Sequence, residues 1–493
     1  MMSMQMLGIL ITSVLSASLI GLIGRRFRRE RLLVSIFAVS ILLCVLGLSI
    51  ISFLEIIRTD GALAAFAVFP PPEGPRIRAD LFSVYMALIF LGICLLVSVF
   101  SARIVAESRA TAYFSVLLGM ATSMIGVVFS EDFFTLFVFW EAMCICSYTL
   151  VSFNKERKES IEAGYKYLVM SSAGAITILF ALSFLYGLTG TLNFQYLSES
   201  LSRAEGNPIV HLAVLMLLVG FGLQAGVVPF HTWLPDALSA APSAISAFLS
   251  ACTEKVGLYA ILKVFFVIFS SFYADWRLPI AVLAVLTMFV GNLSALLQDD
   301  LKRLFAYSTI ANTGYILVGV AIGTPRALAG SLFHILNHAV VVALLFLCVG
   351  AFVRQARTRS LREIAGIRRT MPWTSFAFII GVLSLATFPF LNIFWSELMI
   401  IAAGWEAGLS WLSFLMVVNL VFSAAYSMRI VQAVAVKRTT YISRRAREAS
   451  LSMIIPMFVL AASVIVIGIN PGLFQGLVET IVSSVFRAVL QNA

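Results

Sequence analysis

Charge is what this chain has least of. Aspartate, glutamate, lysine and arginine make up 12% of its 493 residues, against 61% hydrophobic types. A soluble domain carries about 25% charged residues, and no long window here is polar enough to fold in water, so a separate soluble domain is excluded. Cysteine and histidine are scarce too. The six cysteines, Cys44, Cys94, Cys144, Cys146, Cys252 and Cys348, are scattered through apolar runs, and the nearest two are too close for a C-x-x-C ligand pair. They read as small packing hydrophobes. No zinc, haem or iron–sulfur ligand set emerges from the spacing, so the expectation is no metal and no cofactor. The stretch "GFGLQAG" (220–226) is a glycine-bearing helix face, not a dinucleotide loop after a strand. The net charge of +10 comes from the loops and implies no nucleic acid.

Apolar runs are what the chain has in abundance. Its mean hydropathy is +1.00, and stretches long enough to cross about 30 Å of hydrocarbon as helices recur throughout. A barrel would instead alternate polar and apolar residues over strands of about ten. The sequence predicts an all-α polytopic membrane protein with spans at 4–24, 32–54, 81–101, 111–130, 132–153, 162–187, 209–228, 243–270, 278–298, 304–323, 327–351, 373–402, 409–431 and 450–469, which makes about 14 helices. The first is followed by "RRFRRER" (25–31). A cleavable leader carries its charges in front, so a retained helix is expected. With the N-terminus outside, 24 of the 34 basic residues fall in cytoplasmic loops and seven on the other side, as the positive-inside rule requires. Both termini are then outside a cytoplasmic or inner cell membrane. The expected organisation is N-terminal helices with an outer loop (1–110), a core (111–403) and C-terminal helices (404–493).

Two stretches echo each other at an offset of about 168 residues. "EDFFTLFVFW" (131–140) aligns with "DDLKRLFAYS" (299–308), and "VPFHTW" (228–233) is answered by "FPFLNIFW" (388–395), each with a Pro-Phe that breaks a helix at Pro229 or Pro389. The first pair starts on opposite sides of the membrane, which suggests inverted repeats of the kind that build transporter cores. Ionisable residues inside spans cost about 2.5 kcal/mol or more each and are usually functional. The candidates are Glu141, Lys166, Glu254, Lys255, the pair His334 and His338 one turn apart, and Glu397. Lys166 and Lys263 also fit side chains reaching for an interface, and Asp299, Asp300, Lys302 and Arg303 fit a solvated helix cap. Carboxylates, lysines and histidines strung across many helices resemble a proton relay more than a catalytic cluster.

At these residues the chain resembles the antiporter-like subunits of respiratory complex I, of membrane-bound hydrogenases and of multi-subunit sodium/proton antiporters. The matching text is "FWE" with Glu141, "VPFHTWLPDALSAAPSAISAFLS" (228–250), "EKVGLYAILK" (254–263), "QDDLKRLFAYSTIANTGYI" (298–316), "FHILNHA" (333–339) and "FPFLNIFWSE" (388–397). The resemblance implies two inverted five-helix repeats, each with a broken helix, and a hydrophilic axis along the middle of the membrane. It implies that Glu141 pairs with a broken-helix lysine, that Lys255 is the next lysine on the axis, that His334 and His338 belong to the second half-channel and that Glu397 lies at the exit. It also exposes departures. The broken-helix lysine falls at Gln224, a histidine of some members at Asn312, and a lysine of the H-A-x-x-K motif at Val342. Gln224 can hydrogen-bond water or Glu141 but cannot carry a proton, and Lys166 is the candidate to compensate. The implied function is ion translocation, of protons or sodium, in a larger redox-driven complex, with a multi-subunit cation/proton antiporter as the alternative assembly. Its partners would be other antiporter-like membrane subunits, peripheral redox subunits and the lipid membrane. A structural subunit with a degenerate path and a stand-alone transporter are the competing expectations.

Overall fold

The computed structural model describes residues 31–58, 65–67, 75–204 and 206–485, with positions 12, 15, 20 and 21. Most of the expected span 4–24, the arginines at 25, 26, 28 and 29, and Arg487 lie outside the described residues. The chain then runs through α1 (Arg31–Arg58), a ribbon of β1 (Ala65–Ala67) and antiparallel β2 (Arg76–Arg78), α2 (Leu81–Ser101), α3 (Glu107–Phe129), α4 (Phe133–Val151) and α5 (Lys158–Thr189). Next come α6 (Phe194–Leu201), α7 (Pro208–Gln224), α8 (Trp233–Ala240), α9 (Ser243–Val267), α10 (Tyr273–Leu296), α11 (Leu301–Ile322) and α12 (Pro325–Ala356). The last are α13 (Pro372–Leu385), α14 (Asn392–Glu406), α15 (Ser410–Val431), α16 (Tyr441–Arg445), α17 (Leu451–Ile469) and α18 (Pro471–Val485). Eleven helices among the described residues are long and apolar enough to cross a membrane. The expected spans stop at 469, and α18 was not among them.

Helix ends follow local chemistry. Asp80, Asp132, Asn193, Asn207, Asp300 and Thr324 accept backbone N–H groups at the starts of α2, α4, α6, α7, α11 and α12, satisfying donors that a helix leaves unpaired. The centre of the molecule is set by burial. Helix α9 is entirely buried and α11 and α12 nearly so, whereas α1, α5 and α15 leave most of their surface outward, as lipid-facing helices do.

The two breaks are built alike. Helix α7 ends where Gly226 (φ +70°) takes the left-handed conformation, with Gly226 N–H donating to Leu223 O at 3.1 Å and Val227 N–H to Gly222 O at 2.8 Å. Helix α13 ends on Thr387 (φ +58°), with Thr387 N–H to Ser384 O at 3.0 Å and Phe388 N–H to Leu383 O at 3.1 Å. Both are Schellman caps, normally closed by glycine. Pro229 and Pro389 follow the caps and bar the helix from resuming, so the terminators lie two to three residues upstream of the prolines. The starts of α4 and α11 also match. Phe133 N–H donates to Leu192 O at 3.0 Å and Phe194 N–H to Glu131 O at 3.1 Å; Leu301 N–H donates to Arg359 O at 3.0 Å and Leu361 N–H to Asp299 O at 2.9 Å.

These matching pins lie at opposite ends of the bundle. At one end Arg78 pairs with Glu131 at 2.7 Å and Lys263 with Asp80 at 2.9 Å. Lys263 is thus a buried ion-pair partner, not a side chain reaching for an interface. At the other end, the basic face, Lys302 donates to Ala241 O at 2.5 Å, Arg359 to Ser239 O at 2.8 Å and Arg429 to Gln298 O at 2.6 Å. Lys302 is buried there, and of the expected solvated cap only Asp300 behaves as a cap, on the N–H groups of Lys302 and Arg303.

Candidate functional site

Helix α9 carries a π turn over Leu249–Thr253, directly before Glu254 and Lys255. Such turns loosen the backbone ladder and are frequent at functional sites. Here Lys255 Nζ donates to Ser250 O at 2.9 Å, lies 2.8 Å from His338 Nδ1 on α12 and 3.4 Å from Glu254 Oε2. Glu254 accepts through Oε1 from the Thr313 hydroxyl on α11, and that hydroxyl also approaches Ala225 O at the first break, at 3.3 Å. Glu254, Lys255, His334 and His338 are wholly buried and Glu397 is 2% exposed. A buried lysine needs a partner for its charge, and this one has an acid and an imidazole.

The lysine N–H occupies His338 Nδ1, which makes that nitrogen an acceptor and puts the ring proton on Nε2, an atom with no hydrogen-bond partner among the described residues. The His334 ring lies parallel to it, with centroids 6.1 Å apart. His334 Nε2 meets Asn312 Oδ1 at 3.0 Å and Nδ1 meets Ser396 Oγ at 3.0 Å. Asn312 Nδ2 donates to Ser308 O at 2.8 Å, which fixes its amide and requires a proton on His334 Nε2. Ser396 belongs to α14, next to Glu397, whose Oε2 has no partner among the described residues. A second buried network flanks this point. Asn292 Nδ2 donates to Asn419 Oδ1 at 2.7 Å and to Tyr315 Oη at 2.8 Å, and Tyr426 Oη reaches Ser308 Oγ at 3.0 Å.

The first break is furnished differently. Gln224 is buried, its Nε2 donates to Tyr167 Oη at 3.0 Å, and its Oε1 lies 3.7 Å from Cys144 Sγ. Tyr167 stacks on Trp233, 3.9 Å between ring centroids and 6° between planes, and Trp233 Nε1 closes onto Leu223 O at 2.9 Å. No hydrogen bond joins Gln224 to Glu141 among the described residues. Glu141 is partly exposed on α4, with Oε1 buried and unpartnered. Lys166 does not reach the break: its side chain is 47% exposed and pairs with Glu162 at 2.8 Å and Asp236 at 3.1 Å. Val342 is buried and aliphatic, one turn beyond His338.

Residues 130–423 match the family described as NADH:quinone oxidoreductase/Mrp antiporter, TM. The chain belongs to this family. It is 32% identical to the F(420)H(2) dehydrogenase subunit N of Methanosarcina mazei over 387 residues, 76% of this chain and 78% of that one. It is 33% identical to a Na(+)/H(+) antiporter subunit of Alkalihalophilus pseudofirmus over 333 residues, 67% of each. Its fold superposes with a TM-score of 0.90 on a chain of the membrane-bound sulfane sulfur reductase, an archaeal respiratory membrane complex, at 27% identity and covering 98% of both chains. Within this antiporter family frame, charged groups gather around Lys255 and thin out around Gln224. Sequence reasoning noticed Glu254 but did not place it on the path, and it missed Thr313, Ser396, Asn292, Asn419 and Tyr426. One signal was available: Ser308, Asn312 and Tyr315 recur at helical spacing along one apolar span.

Proposed function

We propose that this chain is the proton-translocating, antiporter-like subunit of a multi-subunit, redox-driven membrane complex. The observation that carries it is the buried run Glu254–Lys255–His338, continued by His334 and Glu397 and flanked by two broken helices. A glutamate, a lysine and two imidazoles enclosed by protein can hold or pass one proton between them, which apolar packing does not require. The names of the relatives, one from a dehydrogenase and one from a cation antiporter, support it.

The matched caps and matched α4 and α11 pins support two inverted repeats within a core at 111–403, between N-terminal helices (1–110) and C-terminal helices (404–493). Eleven long helices and two broken ones make 13 crossings among the described residues, and the expected span 4–24, mostly outside them, would bring the total to about 14. The basic face is then cytoplasmic. The proton moves from Glu254 or Lys255 to His338, through water to His334, and leaves past Glu397. Moving one charge against 100 mV takes about 2.3 kcal/mol, which partner subunits supply through their redox chemistry. Glu141, partly exposed on α4, faces such a partner.

Pumping by the whole complex in proteoliposomes tests this, with Lys255→Ala and Glu141→Gln examined singly. We expect Lys255→Ala to abolish proton uptake at this subunit while electron transfer continues uncoupled. Wild-type stoichiometry in both variants removes the reading. That outcome favours a second one, a modulatory subunit with a dismantled path, which the neutral lock around Gln224 and the aliphatic Val342 support.

A further inference from the structure

The basic face holds a cavity of about 410 Å³ away from the lysine–histidine run, a size within the roughly 300–1,000 Å³ of small-ligand sites. Its lining includes Arg109, Arg157, Lys302, Arg354 and Arg359 against a single acid, Glu156. Glu156 is taken by Arg109, and Arg359 is held at 2.9 Å by Asp300, which lies outside the cavity. The guanidinium groups of Arg157 and Arg354 have neither an ion pair nor a hydrogen bond among the described residues. Three long helices also begin at its wall, after Ala106, Arg157 and Pro242, and none has a side chain accepting its first N–H groups. At α2, α4, α6, α7, α11 and α12 aspartate, asparagine or threonine does that work, whereas α8, α10, α13, α14, α15 and α17 also lack it. What sets these three starts apart is that they share one concavity with cations. Unclaimed N–H groups and unpaired cations in one concavity favour an anion.

The rest of the wall says which kind. Phe100, Ile104, Phe153 and Val353 form an apolar side where the helices end at the membrane surface, a surface that a free inorganic anion cannot use. We propose that this cavity binds the phosphate headgroup of an anionic phospholipid from the leaflet on the basic face, with Arg157 and Arg354 closing on the phosphate and the apolar wall meeting the glycerol and acyl chain. Basic pockets between helix ends are suited to such headgroups.

The test uses the full-length chain in the assembly with which it purifies. Thermal stability in detergent is followed while phosphatidylglycerol, phosphatidylcholine or inorganic phosphate is added, and retained lipid is measured by native mass spectrometry. Phosphatidylglycerol should stabilise the wild type and phosphatidylcholine should not. The rim variant Arg157→Gln/Arg354→Gln should bind phosphatidylglycerol about 30-fold more weakly, at about fivefold per surface cation. A control, Arg368→Gln/Arg369→Gln, neutralises two exposed arginines of the same face outside the cavity and should bind as the wild type does. Equal responses to both lipids, equal losses in both variants, or stabilisation by inorganic phosphate alone would each overturn the assignment.

Discussion

The Glu254–Lys255 pair offers the sharpest test, because both partners are buried and 3.4 Å apart. At an effective dielectric near 20, unit charges at that separation attract by about 5 kcal/mol. Desolvation offsets much of this in the intact pair, but removing one partner strands the other charge, at about 3–5 kcal/mol. Lys255→Met should therefore destabilise the chain by about that much, leaving Glu254 with only the Thr313 hydroxyl. Glu254→Gln should cost less, since Ser250 O and His338 Nδ1 still accept from the lysine. The double variant removes both charges at nearly constant volume, so it should be milder than the sum of the two by at least about 2 kcal/mol. Equilibrium unfolding in mixed micelles would measure all three. Additivity within about 0.5 kcal/mol would mean that the two side chains are not an acid–base couple, and the proposed path would lose its centre.

Other expectations follow from single contacts. Gln224→Leu removes the donor to Tyr167 and should cost about 1 kcal/mol while leaving proton movement intact; loss of pumping in a fully assembled variant would show the first break to be part of the path. Gly257→Ala places a methyl 2.7 Å from Ala225 N and 2.9 Å from Phe221 O, so the lysine helix must back away from the first break, a loss of about 1–3 kcal/mol of stability on unfolding. Asp80 lies just before α2; burial pushes its carboxyl up, but the Lys263 ammonium and the Ser83 hydrogen bonds outweigh it and hold the group below its ordinary value of 3.8. A depressed carboxyl adds stability at neutral pH that is lost as pH falls through the folded value. The gap in melting temperature between the wild type and Asp80→Asn should thus be full near neutrality and close below about pH 4; a gap that widens in acid would refute it.

Much of the fold was open to reading because hydrocarbon permits so few solutions. Each apolar run had to be a helix, and a cap such as Asp300 marked where a helix starts. The breaks were visible through Pro229 and Pro389; of their true terminators, Gly226 carries the glycine that such caps favour and went unread, whereas a left-handed threonine at 387 has no sequence signature. Lys166 shows the limit for charges. Hydropathy puts it inside a span, yet its pairs with Glu162 and Asp236 hold it at an exposed edge. Glu254 shows the converse: its weight in the site comes from Thr313, 59 residues on, and from the π turn before it. Helix α18 was too short for a span and too apolar for a loop, and only its packing against the bundle decides its state.

The way Lys255 is moored has a kinetic consequence. An ammonium has three hydrogens; a carbonyl and an imidazole nitrogen accept two of them, and the Glu254 carboxylate stands 3.4 Å off as an ion-pair partner. A side chain held by two hydrogen bonds and an ion pair does not swing freely like a ferry between two banks. Charge must instead be handed across standing bonds, so the tempo of the device is set by how fast the His338 ring and nearby water reorient, and turnover should slow measurably in deuterium oxide.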